Sequence, residues 1–301
     1  MRPINQRRLR EGQISELVVA SYDGGRTDVI YETGELIEAP NWTPDGKWLI
    51  YNGDGRLFRI SPDGSKGPTR INTAPIEDLN NDHLVSPDGR YLYVSANDGH
   101  LYRVKAEGGD PVRISNTYPP ERGFRYYLHG ISPDGGQLAY VGLETGSGKT
   151  VTRVFLIPAS GGDDLALTDG SHPVDGPEFA PQGDWIYFNS EQGSSAPGHA
   201  QVFRMKPDGT GIEQLTFDER VNWFPHPSPD GRLIAYLSYP PGTVGHPADR
   251  DVIVRTMTPD GGSIRDIDRF NGGQGTINVA SWSPDSCHFA YVRYPLRQVE
   301  A

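Results

Sequence analysis

The sequence has little of what would fix a fold covalently or place it in a membrane. Cysteine occurs once, at Cys287, so no disulfide can form within the chain. That usage suits a reducing compartment. No stretch approaches the roughly 20 apolar residues needed to span a bilayer. The first residues are basic but lack the apolar run and small-residue cleavage site of an export leader. As given, the chain reads as cytoplasmic, with a periplasmic location as the alternative if a leader has been removed. Positive charge is also short: 28 basic residues face 39 acidic ones, for a net charge of −11. A phosphate-backbone binder carries a basic stripe, and none runs through the body of the chain, so nucleic acid is not expected as a partner. The one basic cluster, Arg7, Arg8 and Arg10, reads as a solvated leader.

Catalytic signatures are missing as well. Residues 146–150 read Gly-Ser-Gly-Lys-Thr, but Leu143 stands where a phosphate-binding loop needs glycine, and a strand is expected next rather than a helix. The Gly-Ser-Ser-Ala-Pro run at 193–197 fails the nucleophile-elbow pattern at its last position. Cys287 beside a turn reads as an inert residue.

What the chain does have is one turn repeated six times. Thr-Pro-Asp-Gly at 43–46 is followed by Ser-Pro-Asp-Gly at 86–89, 132–135 and 228–231, by Ala-Pro-Gln-Gly at 180–183, and by Ser-Pro-Asp-Ser at 283–286. Successive copies lie 43, 46, 48, 48 and 55 residues apart. A period of that size marks stacked four-stranded blades. Proline presets φ, aspartate suits the third turn position, and glycine accepts the left-handed conformation that closes the hairpin. An apolar run follows each turn, such as Trp48 to Tyr51 or Trp185 to Phe188. Runs apolar on both faces predict strands packed between two other sheets. A second series of turns, at Pro62, Glu107, Ser160, Pro207 and Pro259, precedes short strands, so each repeat reads as strands A to D.

The ends give the blade count. The segment 17–31 looks like strands C and D with no A and B before them, and the last repeat stops after strand B. Joining them gives five continuous blades and one composite blade, an all-β six-bladed propeller over residues 14–294. Residues 1–13 and 295–301 are expected as tails. Ring closure leaves only short edges exposed, and the chain is expected to be a monomer.

These repeats, with Trp42 and Trp282 just before their turns, resemble the propeller of the TolB family and the propellers attached to prolyl-oligopeptidase-type peptidases. The resemblance spans roughly 14–294 and implies a bacterial-type binding scaffold for a protein or peptide. TolB also implies an export signal and an N-terminal α/β domain, neither of which is recognised in this sequence.

Strand order puts the tight turns on one face and the irregular segments 116–124, 144–149, 191–199, 239–249 and 271–275 on the other, where binding is expected. Strand A lines the channel and carries Asn41, His83, His129, Glu178 and His226. The approaches to it add Asn81, Asp82, Arg125, Tyr126, Asp175, Asn222, Trp223 and Asn278. One reading makes these a polar lining that satisfies buried backbone groups. The other makes His83, His129 and His226, with Glu178, ligands for a divalent cation such as Zn or Mn. A looser resemblance to oligogalacturonate lyases, which hold a metal with channel histidines, implies a metal-dependent enzyme acting on an acidic oligosaccharide. Against it stands the net negative charge. On the scaffold reading, Trp223, Tyr126 and Arg125 are the expected anchors.

Overall fold

The computed structural model describes residues 7–146 and 148–297. Residue 147, inside the glycine-rich stretch 146–150, and the ends 1–6 and 298–301 lie outside that description. Inner strands run Ile37–Trp42, Leu79–Val85, Arg125–Ile131, Val174–Phe179 and Val221–Pro227. Each opens a four-stranded antiparallel sheet whose strands pair in chain order. We number these blades one to five. The sixth is composite: Ser15–Ser21 pairs with Thr27–Thr33 on one side and with His288–Arg293 on the other. Leu17 faces Val292 and Ala20 faces Phe289 in that register.

The inner position of the composite blade differs from the regular strand expected there. Residues 276–283 hold it through one bridge, Trp282 to Phe289, and through backbone bonds from Val292 to Thr276 and from Ala290 to Ser281. The preceding turn explains this. Gly273 and Gly275 have φ of 122° and 85°, and the side chains of Thr276 and Asn278 accept their N–H groups. Side-chain bonds here replace the ladder.

The two-sided apolar runs are the second strands. Leu49–Gly53, Ile186–Ser190 and Ile234–Tyr239 are buried at every position. Their side chains pack between blades. Val18 and Ala20 join Trp223, Tyr239 and Val252 of blade five, while Leu17 and Val19 join Ile37, Leu49 and Tyr51 of blade one. Outer strands of blades one to four are only two or three residues long, which leaves little edge unpaired.

The repeated turn has one internal wiring. In blade two, Gly89 N–H donates to the Ser86 carbonyl, Ser86 Oγ donates to Asp88 at 2.6 Å, and Tyr91 N–H donates back to Ser86 Oγ at 2.9 Å. The same set recurs from Thr43, Ser132, Ser228 and Ser283. Each turn also abuts the one before. A side chain added at Gly135 would lie 3.4 Å from the Pro87 ring, and one at Gly183 3.6 Å from Pro133. Glycine suits these turns because φ lies near 72°, while the approach itself is ordinary van der Waals contact and the sixth copy carries Ser286 there at 60°.

Candidate functional site

Every inner strand of blades one to five shifts register partway along. In three of them a residue with positive φ precedes a proline: Ala39 (53°), Gly176 (59°) and Phe224 (55°). Such a bulge adds a residue and re-aims the side chains on either side. Glu38 and Asp175, before the bulge, face the channel mouth, whereas Asn41, Glu178 and His226, after it, sit deeper.

The mouth holds a cavity of about 360 Å³. Blade two supplies Asn80, Asn81, Asp82 and Asn97; blade three supplies Tyr127 and His129; blade four supplies Asp175. His246, Gln274 and Asn278 complete the polar lining, with Phe224, Val141 and Leu143 as the apolar part. Of the five irregular segments, only 239–249 and 271–275 reach it.

At its centre lies a charged cluster. His129 Nε2 is 3.0 Å from Asp175 Oδ1, and His129 Nδ1 is 3.1 Å from the Asn278 carbonyl. Both nitrogens face acceptors, so the ring is held as imidazolium. Burial alone would lower His129, but Asp82 and Asp175 outweigh it and lift the ring to about 9. Burial opposes ionisation of Asp175, yet the bond from His129 keeps it below the usual carboxylate range. Asp82 has no such bond from a cation, and burial pushes it up to about 7. His246 Nε2 lies 3.6 Å from the second Asp175 oxygen, and its Nδ1 meets Gln274 Oε1. Burial lowers His246.

Of the residues expected at the channel and its approaches, Asn81, Asp82, His129, Asp175 and Asn278 line this cavity together, and eight do not. Asn41 Nδ2 donates to the His83 carbonyl at 3.2 Å, tying blade one to blade two. His83 is fully buried with Nε2 3.2 Å from the Ile50 carbonyl, and burial pulls it down to about 4. His226 lies between Glu178 (2.6 Å) and the Ile277 carbonyl (2.7 Å). Asn222 Nδ2 donates to Asp218 at 2.9 Å and to Gln201 at 3.1 Å, away from the mouth.

The expected anchors are corrected outright. Trp223 is buried, its ring 4.6 Å from His246. Tyr126 is buried with its hydroxyl donating to Asp164 at 2.8 Å. Arg125 donates to the Asn97 carbonyl at 2.5 Å. Trp223 and Tyr126 are thus packed in the core, and the part-buried Arg125 is bonded to blade two. Tyr127, one residue further on, faces the cavity because alternate strand residues point to opposite sides.

The cation site also fails to assemble. His83, His129 and His226 are each bonded to different partners. Among the described residues no three His, Cys, Asp or Glu side chains lie together in a metal-holding group. His83, His129 and His226 therefore do not form one ligand set for Zn or Mn.

The solvated-leader reading of Arg7 is likewise overturned. Its guanidinium lies 3.9 Å over the Tyr294 ring and 3.3 Å from Glu38 Oε1, and it donates to the Gln274 carbonyl. This second cavity, about 460 Å³, shares Asn80, Asn81, Asn97 and Gln274 with the first, so the two form one continuous mouth. Gln274 lies in the irregular segment 271–275, but Glu38 carried no sequence signal of a site; it precedes the bulge as Asp175 does, which only the alignment of the bulges reveals.

No protein-family model matches the chain. The uncharacterised protein Atu1656 of Agrobacterium fabrum is 39% identical over 88% of this chain and 87% of its own length. A solved TolB candidate from Agrobacterium tumefaciens is 36% identical with a TM-score of 0.86, over 94% of this chain and 99% of that one. The Tol-Pal system protein TolB of Francisella tularensis is 23% identical over 91% of this chain, which spans 61% of that protein. Among the described residues no helix is long and apolar enough to cross a membrane. Six blades of this turn type, closed by the two chain ends and matched along nearly their whole length, place the chain in the TolB-like six-bladed β-propeller family.

Proposed function

We propose that this protein is a non-catalytic binding scaffold that engages a protein or peptide partner at the channel mouth. The observation that carries the reading is the mouth itself: two cavities joined through Asn80, Asn81, Asn97 and Gln274, set on rigid inner strands. Amide and carboxyl side chains there offer donors and acceptors to a peptide backbone, with Tyr127 as apolar surface. The chemistry of the lining supports binding. Asp82, Asp175 and His129 engage one another rather than a nucleophile. The Francisella relative is named for the Tol-Pal system, and by that likeness the partner belongs to an envelope assembly and the periplasmic location is favoured.

The test is partner capture with a cross-linkable residue placed at Asn97, compared among variants. Tyr127→Ala and Asn81→Ala should each reduce capture at least tenfold while leaving the melting temperature near that of the parent. Lys66→Ala and Arg90→Ala, on the tight-turn face, should leave capture unchanged. If capture survives both mouth changes, or is lost with the turn-face ones, the reading is wrong.

A further inference from the structure

We infer that the outer cavity of the mouth is a guanidinium-recognition subsite, which Arg7 of the same chain occupies and from which an arginine side chain of the partner displaces it. This rests on the binding-scaffold reading and names the chemistry of its partner. Four groups make the subsite. The Tyr294 ring lies flat beneath the guanidinium at 3.9 Å, a cation–π arrangement. Glu38 supplies a carboxylate at 3.3 Å, and the Gln274 carbonyl accepts from the same nitrogen. Asp249 lies 3.9 Å from the other terminal nitrogen. Glu38 is half-buried, its side chain 14% exposed, and a carboxylate so shielded is stabilised by a cation beside it. Gly275 permits the approach, because a side chain there would collide with both Glu38 and the Tyr294 hydroxyl.

Arg7 fills this subsite imperfectly. Its Nε and Nη2 are buried without a hydrogen-bond partner, although a guanidinium offers five donors in a fixed fork. A ligand arginine free of the tether can turn to satisfy them. Among the described residues, the segment carrying Arg7 is fastened beyond it: Leu9 packs on the core shared by the composite blade and blade one, Arg10 pairs with Asp249 at 3.1 Å, and Gln13 donates to Asp249, Asn271 and the Tyr294 carbonyl. Arg10 and Arg8 remain exposed. Arg7 is therefore the exchangeable tip of a strap whose foot is fixed from Leu9 onward. A tethered occupant lowers the apparent affinity of any competitor by the fraction of time it is seated.

The experiment titrates Nα-acetyl-arginine amide, with Nα-acetyl-citrulline amide as the uncharged isostere, into the full chain by calorimetry. Arg7→Ala should bind the arginine compound about tenfold more tightly than the parent, as expected where the strap is seated about nine-tenths of the time. Citrulline should bind neither, and Arg7→Ala with Glu38→Gln should lose the gain. Equal affinity in parent and Arg7→Ala, or equal binding of citrulline, overturns the inference. Should Arg7→Ala not fold, nitrogen-15 NMR of the parent's arginine side chains replaces it. Excess arginine amide should move the Arg7 signal to its solvent-exposed position, and an unmoved signal overturns the inference. A protein that binds arginine amide but captures no partner retains the subsite and refutes the scaffold; the reverse refutes the subsite alone.

Discussion

His129 is the cation of the charged cluster in the mouth. Its folded value near 9 exceeds the unperturbed 6.5, so its contribution to stability is complete below about 6.5 and is lost as pH rises through 9. Asp82 adds to the same slope at lower pH. Its folded value near 7 stands above the usual 3.8, so its contribution is full below that value and lost as pH rises through 7. Urea unfolding of the parent should therefore weaken steadily from pH 6 to 10. His129→Gln should be less stable at pH 6, by about 3–5 kcal/mol for a broken buried pair, and flat between pH 8 and 10. A parent curve flat over that window would refute the assignment. Trp223 is the contrasting residue. Taken from sequence as a surface anchor, it is packed against His246 and Phe224. Trp223→Ala should cost about 3–5 kcal/mol of stability, as large-to-small core changes do. Loss of binding with an unaltered denaturation midpoint would contradict that.

Among the elements, the repeated turn is a small hydrogen-bonded device. Asp88 is held down to about 2 by the Ser86 hydroxyl and then by the Arg90 N–H. Its folded value lies below the ordinary 3.8, so its contribution is present above about 3.8 and lost as pH falls through 2. Ser86→Ala removes the hydroxyl from Asp88 and from the Tyr91 N–H. It should destabilise the fold at neutral pH, and by less as pH falls through 2, where only the Tyr91 part of the loss remains. A cost undiminished in acid would mean that the Asp88 bond contributes nothing. The Ala180 turn keeps its backbone closure, Ala180 N–H to the Trp185 carbonyl, without the hydroxyl set. The inner-strand bulges were less legible than the turns. Ala-Pro, Gly-Pro and Phe-Pro at 39–40, 176–177 and 224–225 look unrelated as dipeptides. Only their shared positive φ and register shift make them one feature. Two irregular segments are likewise joined to each other: Glu144 accepts from both Arg122 (2.8 Å) and Arg153 (2.7 Å).

For the whole molecule, closure is the dominant fact. Ser15–Ser21 joins His288–Arg293 across nearly the full chain, and its side chains feed the cores on both sides. Deleting residues 1–33 would strip blades one and five of packing and leave His288–Arg293 with an open edge. The shortened chain should unfold without a cooperative transition, or aggregate. A calorimetric melt as sharp as the parent's would refute the closure argument.

The repeat alone determined the blade type, the blade number and the composite closure. Turn chemistry and strand alternation are local, and a period of 43 to 55 residues repeats them six times over. The sequence also placed His129, Asp175 and Asn278 near the channel. It could not tell Tyr127 from Tyr126, because a bulge changes the face of every residue beyond it. It could not separate three histidines bonded to three different partners from three that share a cation. It read Arg7 as solvated, because charge near a terminus is usually exposed. Tyr294, Glu38 and Gln274, which receive it, come together only when the ring closes. Contacts between residues 7 and 294 depend on the path of the whole chain, and no local pattern encodes that path.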